Sequence, residues 1–294
     1  MMLRCQRERR GDWLLRGWVG LILLLAVVCG PWDGARADDA GDEIGQVQAL
    51  PWVVGPATGQ VAGVATLKFG DDYIFLESTG TQRFLELTGN LPQAGAVTLA
   101  KKDLSWFAVF HFDASGYVKD DETLDPDALL EQLQAGNRVG NEERKERGFP
   151  GLTLVGWYIP PRYDGQTKHL EWGTRLQPEG DSRDIANFTT RLLGRRGVMA
   201  ATLVSDPEAL DRNAVEFKQV LRGFAFTAGE RYTEFRQGDK VAEYGLAALI
   251  AGGAAAVVAK SGAGKAVGKV LGIAAVAGLG VLGGLIRKLF SRKV

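Results

Sequence analysis

Two charge-free stretches near the C-terminus constrain this 294-residue chain most. Residues 245–259 (GLAALIAGGAAAVVA) and 270–286 (VLGIAAVAGLGVLGGLI) contain no Asp, Glu, Lys or Arg. As a helix the second reaches about 26 Å, enough for a thin hydrocarbon core. The first reaches about 23 Å and needs help from its flanks. Arg287, Lys288, Arg292 and Lys293 follow the second stretch directly. Positive residues stay cytoplasmic, so one span here leaves the C-terminus inside and the preceding chain outside. The rivals are a hairpin of two spans, with Lys260, Lys265 and Lys269 inside, and a stretch lying in the interface. Small residues recur at four-residue spacing: Gly252 and Ala256, then Gly264, Gly268 and Gly272, then Gly280 and Gly284. Such a ridge lets a second helix approach closely, so self-association or docking of another membrane helix is one expectation. The plainer account is that Gly and Ala are simply common in membrane segments.

The N-terminus points the same way. Arg4, Arg7, Arg9, Arg10 and Arg16 precede an apolar run at residues 18–30, and Ala35-Arg36-Ala37 follows. A charged start, a short apolar core and a small-residue cleavage site are the parts of a secretory signal peptide. An uncleaved anchor is the rival, although the run is shorter than a spanning helix wants. Removal of residues 1–37 takes away Cys5 and Cys29, the only cysteines. The expected organisation is a signal peptide at 1–37, a periplasmic domain at 38–228, a linker at 229–244, and an anchor with a basic cytoplasmic tail at 245–294.

The formal net charge is zero, but it is unevenly spread. Residues 244–294 carry seven basic residues and no acid, whereas 38–243 hold 32 acidic against 22 basic residues. An acidic body repels phosphate backbones, so nucleic acid is not an expected partner and membrane lipid is.

The middle of the chain predicts an α+β fold, mainly an antiparallel sheet with about three packed helices, ahead of the Gly/Ala-rich transmembrane segment. Residues 38–50 read as a loose lead-in. Strands are expected at 61–69, 73–76, 95–99, 105–112, 152–158, 169–176, 185–193, 197–204 and 223–226. Asp113-Ala114-Ser115-Gly116 reads as a hairpin turn leading to Tyr117-Val118. Helices are expected at 79–87, capped by Ser78 or Thr79, at 126–147 behind an Asp125 cap with Gly148 as its stop, and from Asp206-Pro207 to Arg222. Leu210, Val215, Val220 and Leu221 are the core candidates of the last. The strands are grouped and do not alternate with helices, which favours α+β over a doubly wound sheet.

Several sequence blocks, in one order from about residue 50 to 260, resemble the domain-of-unknown-function 2167 family of bacterial membrane-anchored proteins. They are Trp52-Val53-Val54-Gly55-Pro56-Ala57, Gly116-Tyr117-Val118-Lys119-Asp120-Asp121, Asn141-Glu142-Glu143-Arg144, and Gly156-Trp157 with Pro160-Pro161-Arg162-Tyr163-Asp164. Leu193-Gly194-Arg195-Arg196-Gly197 and Gly238-Asp239-Lys240-Val241-Ala242-Glu243-Tyr244-Gly245 complete the set. The resemblance implies an exported body with a C-terminal anchor in the inner membrane, and it carries no catalytic residues. The order of the last elements also resembles sandwich domains related to the extrinsic P subunit of photosystem II, a likeness of fold that implies no function.

Few residues invite a chemical role. His111 and His169 are the only histidines, and neither accompanies a G-x-S-x-G elbow. Asp120, Asp121 and Glu122 form the densest carboxylate group, suited to a hard cation or to hydrolysis. Acids ahead of a helix are also what its dipole favours. Trp157, Tyr158, Pro160, Pro161, Tyr163 and Trp172 read as an aromatic and proline group around a turn, either a peptide or glycan surface or a packed hairpin end. Arg191, Arg195 and Arg196 could meet a phosphate or carboxylate, or pair with acids of the body. No phosphate loop, dinucleotide fingerprint or CxxC is present, and no cofactor is expected. The leading expectation is a non-enzymatic scaffold or interaction protein of the bacterial envelope. A carboxylate-dependent envelope hydrolase and a glycine-zipper oligomer are the alternatives.

Overall fold

Residues 185–193 (IANFTTRLL) and 198–205 (VMAATLVS) are apolar or threonine at nearly every position, as suits strands covered on both faces. In the computed structural model, which describes residues 44–182 and 184–251, they sit in the middle of an eight-stranded sheet. The strands in chain order are β1 (Val53–Val54), β2 (Ala57–Val61), β3 (Ala65–Phe69), β4 (Tyr73–Leu76), β5 (Val97–Lys101), β6 (Trp106–Asp113), β7 (Leu152–Asp164), β8 (His169–Pro178), β9 (Ile185–Leu193), β10 (Val198–Ser205) and β11 (Phe224–Phe226). The large sheet runs β1-β4-β5-β6-β10-β9-β8-β7, and every pairing is antiparallel. A small sheet, β11-β3-β2, has its own antiparallel ladder and packs against it. The helices are α1 (Ser78–Leu87), α2 (Pro126–Glu146), α3 (Leu210–Leu221) and α4 (Leu246–Ala251).

Two apolar layers cover the large sheet. One unites Phe84 and Leu85 of α1, Leu129 and Leu133 of α2, and Leu246, Leu249 and Ile250 of α4 with Phe107, Val204 and Trp172. The other joins Leu210, Phe217 and Leu221 of α3 to Phe110, Phe188, Leu203 and the small sheet. The fold is therefore α+β and mostly antiparallel, with three helices of seven or more residues among the described residues.

Local chemistry explains the boundaries. Asp125 accepts from the Asp127 and Ala128 amides and starts α2, and Gly148 ends it at φ 78°. The buried face of α2 runs through Leu129, Leu133, Asn137, Gly140 and Arg144, at helical spacing. Asn141 closes two bonds with the backbone of Leu152, and the Arg144 guanidinium reaches the carbonyls of Pro150 and Gly89. The Asn-Glu-Glu-Arg block thus clamps α2 to the start of β7. Pro160 and Pro161 lie in β7, an edge strand whose register against β8 slips three times, which is where a sheet tolerates proline.

The structure departs from the sequence expectations in several places. The stretch 61–69 is the end of one strand and all of the next, because Ala62 and Gly63 adopt positive φ and turn the chain. The 113–118 segment is no hairpin: β6 already has β5 and β10 as neighbours, and Tyr117 instead bridges Val241 in parallel. No side chain caps α1, whose N-cap is Glu77. The Asp206-Pro207 helix begins as a 3-10 turn (Pro207–Ala209), and Val215 is 59% exposed. It points away from the face made by Leu210, Ala214, Phe217 and Leu221. β7 runs six residues beyond its expected end. The lead-in is tied down too: residues 44–48 are helical, Val47 is buried, and Trp52 Nε1 donates to its carbonyl.

The largest difference concerns residues 229–251. The expected linker packs on the sheet, and the first turns of the expected anchor are core: Leu249 is 2% exposed. Among the described residues no helix is long and apolar enough to cross a membrane. The signal segment, the stretch 270–286 and Gly264, Gly268, Gly272, Gly280 and Gly284 lie outside the described residues.

Candidate functional site

Three of the sequence blocks, 116–121, 193–197 and 238–245, meet at one end of the large sheet, joined there by Tyr163. Gly116 follows β6 with φ 101°, and a Cβ there would sit 2.7 Å from the Lys240 carbonyl oxygen, so only glycine lets the two segments pass. Its amide donates to Arg196, Tyr117 donates to Lys240, and Ala242 donates back to Tyr117. The Tyr117 ring stacks on Tyr232 at 4.4 Å and meets Phe235 at 4.3 Å. Tyr244 donates to Asp113.

Asp120 is the hub. Its Oδ2 accepts from Tyr163 (2.6 Å) and Lys168 (2.7 Å), and its Oδ1 accepts from Tyr232 (3.0 Å). Burial alone would raise this carboxyl, but the bonds from Lys168, Tyr163 and Tyr232 outweigh it and hold it below its ordinary value. Burial and then the bond to Asp120 push the Tyr163 phenol well up. Lys168, at φ 59° in the β7–β8 turn, also lies 5.2 Å over the Tyr232 ring. One carboxylate therefore ties a hairpin tip to the segment that precedes the apolar C-terminus.

The other two acids do not join it. Asp121 is exposed, and Glu122 accepts from Ala247 N at the start of α4. Among the described residues no three His, Cys, Asp or Glu side chains are grouped to hold a metal ion.

The three arginines separate. Arg195 makes a two-point pair with Asp239 and donates to Gly229 O. Arg196 pairs with Glu230. Arg191 lies on the α2 layer of the sheet, over Trp172, and its Nε is buried without a hydrogen-bond partner. His111 shares that row across Ala200, and its Nδ1 likewise lacks a partner. Burial, then Arg191, lowers His111, and burial lowers Arg191.

The aromatic and proline group does not surround a turn. Trp157, Pro160, Pro161 and Tyr163 lie along β7, and Trp172 lies buried on β8. Trp157 and Tyr163 join the α2 layer, whereas Tyr158 joins the α3 layer. Trp157 Nε1 donates to Pro126 O. Strand alternation splits the group between two faces.

A cleft of about 810 Å³ opens beside the hub, between the β7–β8 end and the end of α3. On its floor Asp164 faces His169 and Arg162 faces Glu171 across the two strands. Lys218, Leu221, Arg222 and Phe224 form its wall. Glu171 Oε2 accepts from Arg162 (3.1 Å) and Lys218 (2.6 Å). Burial lowers the His169 imidazole, against the pull of Glu171 and Asp164. The sequence offered little warning of this cleft, because its residues come from two stretches far apart in the chain, 162–171 and 218–224. The one signal was His169 two residues from Glu171, a spacing that puts both side chains on one strand face.

A family described as protein of unknown function (DUF2167) matches residues 54–283. A comparison with curated proteins finds no match. Among solved structures, the chain is similar to the solution structure of cyanobacterial PsbP (CyanoP) from Synechocystis sp. PCC 6803, at 10% identity and a TM-score of 0.35, covering 59% of this chain and 95% of that one. It is also similar to the protein of unknown function PA94 from Pseudomonas aeruginosa, titled a putative regulator, at 16% identity and a TM-score of 0.24, covering 56% and 93%.

Proposed function

The chain belongs to the DUF2167 family of proteins of unknown function, and from that premise we propose that it is a membrane-tethered envelope protein whose folded body serves as an interaction module. The body stands on the periplasmic side of the bacterial inner membrane, residues 270–286 cross it once, and the basic terminus is cytoplasmic. The ridge of Gly264, Gly268, Gly272, Gly280 and Gly284 joins a second helix, from its own copy or another membrane protein.

The observation that carries this is the docking of residues 229–251 on the sheet. Asp239, Val241 and Tyr244 are held by the body immediately before the first charge-free stretch, and Leu249 within that stretch is buried in the core. With Leu246, Leu249 and Ile250 spent on the core, the first apolar stretch is too short to span, which favours one crossing over a hairpin. A body fixed at the point where its chain leaves for the bilayer presents a constant face to a neighbour. Asp120, with both oxygens accepting and its pKa lowered, is suited to holding this joint and not to proton transfer.

Fractionation of cell membranes tests the tether. The chain is expected to remain in the pellet through alkaline carbonate and to enter solution only with detergent. Recovery as a monodisperse species in buffer alone would contradict it.

A further inference from the structure

The charges in the cleft between the β7–β8 end and α3 do not cancel. Arg162, Lys218 and Arg222 face Asp164 and Glu171. Glu171 is taken by Arg162 and Lys218, and Asp164 Oδ1 accepts from the Gln166 and Thr167 amides. Arg222 is exposed and makes no ion pair among the described residues. Leu221 and Phe224 give the same wall an apolar part. The cavity lies in the size range of small-molecule sites. It is a cationic window in a body whose residues 38–243 are strongly acidic. A guanidinium prefers a planar carboxylate, and an apolar wall prefers a ligand that has something to bury.

We propose that this cleft binds a small carboxylate with an apolar body, its carboxylate on Arg222 and His169 and its apolar part against Leu221 and Phe224. The ligand's negative charge favours the imidazolium form of His169, so binding takes up a proton and strengthens as pH falls from 8 to 6. The groups that set this response are Asp164 on β7, Glu171 on β8, Lys218 on α3, and Arg162 and Arg222 at the rim.

Benzoate is a suitable probe, titrated into the detergent-solubilised full chain by calorimetry, with the His169 ring signals followed by NMR. Saturable binding is expected that weakens at least about tenfold in Arg222→Gln and is unchanged in Arg212→Gln, an exposed position elsewhere on α3. His169→Asn should remove the pH dependence while keeping a saturable isotherm. Benzamidine, the same ring with a positive group, should not compete. Equal binding of benzamidine, binding of phosphate without benzoate, or an Arg222→Gln affinity equal to the parent would each overturn the assignment.

Discussion

Arg195 grips Asp239 through two bonds of 2.7 Å, Nε to Oδ2 and Nη2 to Oδ1, across 44 positions of sequence. The Arg236 amide adds a third bond to the same carboxylate. Together, Arg195 first, they pull the Asp239 carboxyl down to about 2. Because the folded value lies below the unfolded one, the contribution is complete above the ordinary aspartate range and disappears as pH falls from about 4 to about 2. Asp239→Asn should release residues 229–251 first. Hydrogen exchange read by mass spectrometry should show faster exchange in that segment than in β9 or β10, whereas uniform protection would mean that the pair does not hold the segment.

The burial of α4 gives a second prediction. Leu249→Ala removes a side chain that is 2% exposed and packed with α2. It should cost about 2–5 kcal/mol in urea unfolding of the body. A cost near zero would place this residue in lipid instead.

Both histidines have lowered folded-state values, burial being the first cause in each. The unfolded chain therefore takes up protons before the folded one. Stability should be full above about 6.5 and decline as pH drops below it, by at most about 1.4 kcal/mol per pH unit for each imidazole. Unfolding midpoints compared at pH 7.5 and 5.5 should show the loss, and replacing His111 and His169 with Gln should flatten it.

Two glycines should respond oppositely to alanine. A Cβ at Gly197 would lie 2.1 Å from the Asp113 carbonyl oxygen and 2.7 Å from the Phe112 ring, so the turn into β10 must move. A Cβ at Gly136, inside α2, meets nothing within 4 Å. Gly197→Ala should destabilise by about 1–3 kcal/mol, and Gly136→Ala should stabilise by about 1 kcal/mol. Thermal melts of the two variants check both signs.

Much of the fold was legible because its cues are local. Asp125-Pro126 and Gly148 bracket α2, and the dense apolar stretches of β9 and β10 mark a sheet interior. What could not be read was long-range pairing. Nothing within Asp113-Ala114-Ser115-Gly116 announces that Tyr117 will pair with Val241 and not fold back on β6. Nothing in Gly229–Tyr244, polar and rich in charge, reveals that Asp239 and Glu230 have arginine partners waiting at 195 and 196. The apolar residues Leu246, Leu249 and Ile250 suit a bilayer and a protein core equally, so hydropathy alone does not announce that they pack in the core of the body. The aromatic group failed for a simpler reason: a strand sends neighbours to opposite faces, so Trp157 and Tyr158 never share a surface.

The tethered, outward-facing body is tested most directly by site-specific labelling in intact spheroplasts. With Cys5 and Cys29 replaced by serine, single cysteines are placed at Glu179 on the body and at Ser291 on the tail, and a membrane-impermeant maleimide is added. Labelling at position 179 before permeabilisation, and at 291 only after it, is the predicted result. Labelling at 291 in intact spheroplasts, or protection of 179, would contradict the account.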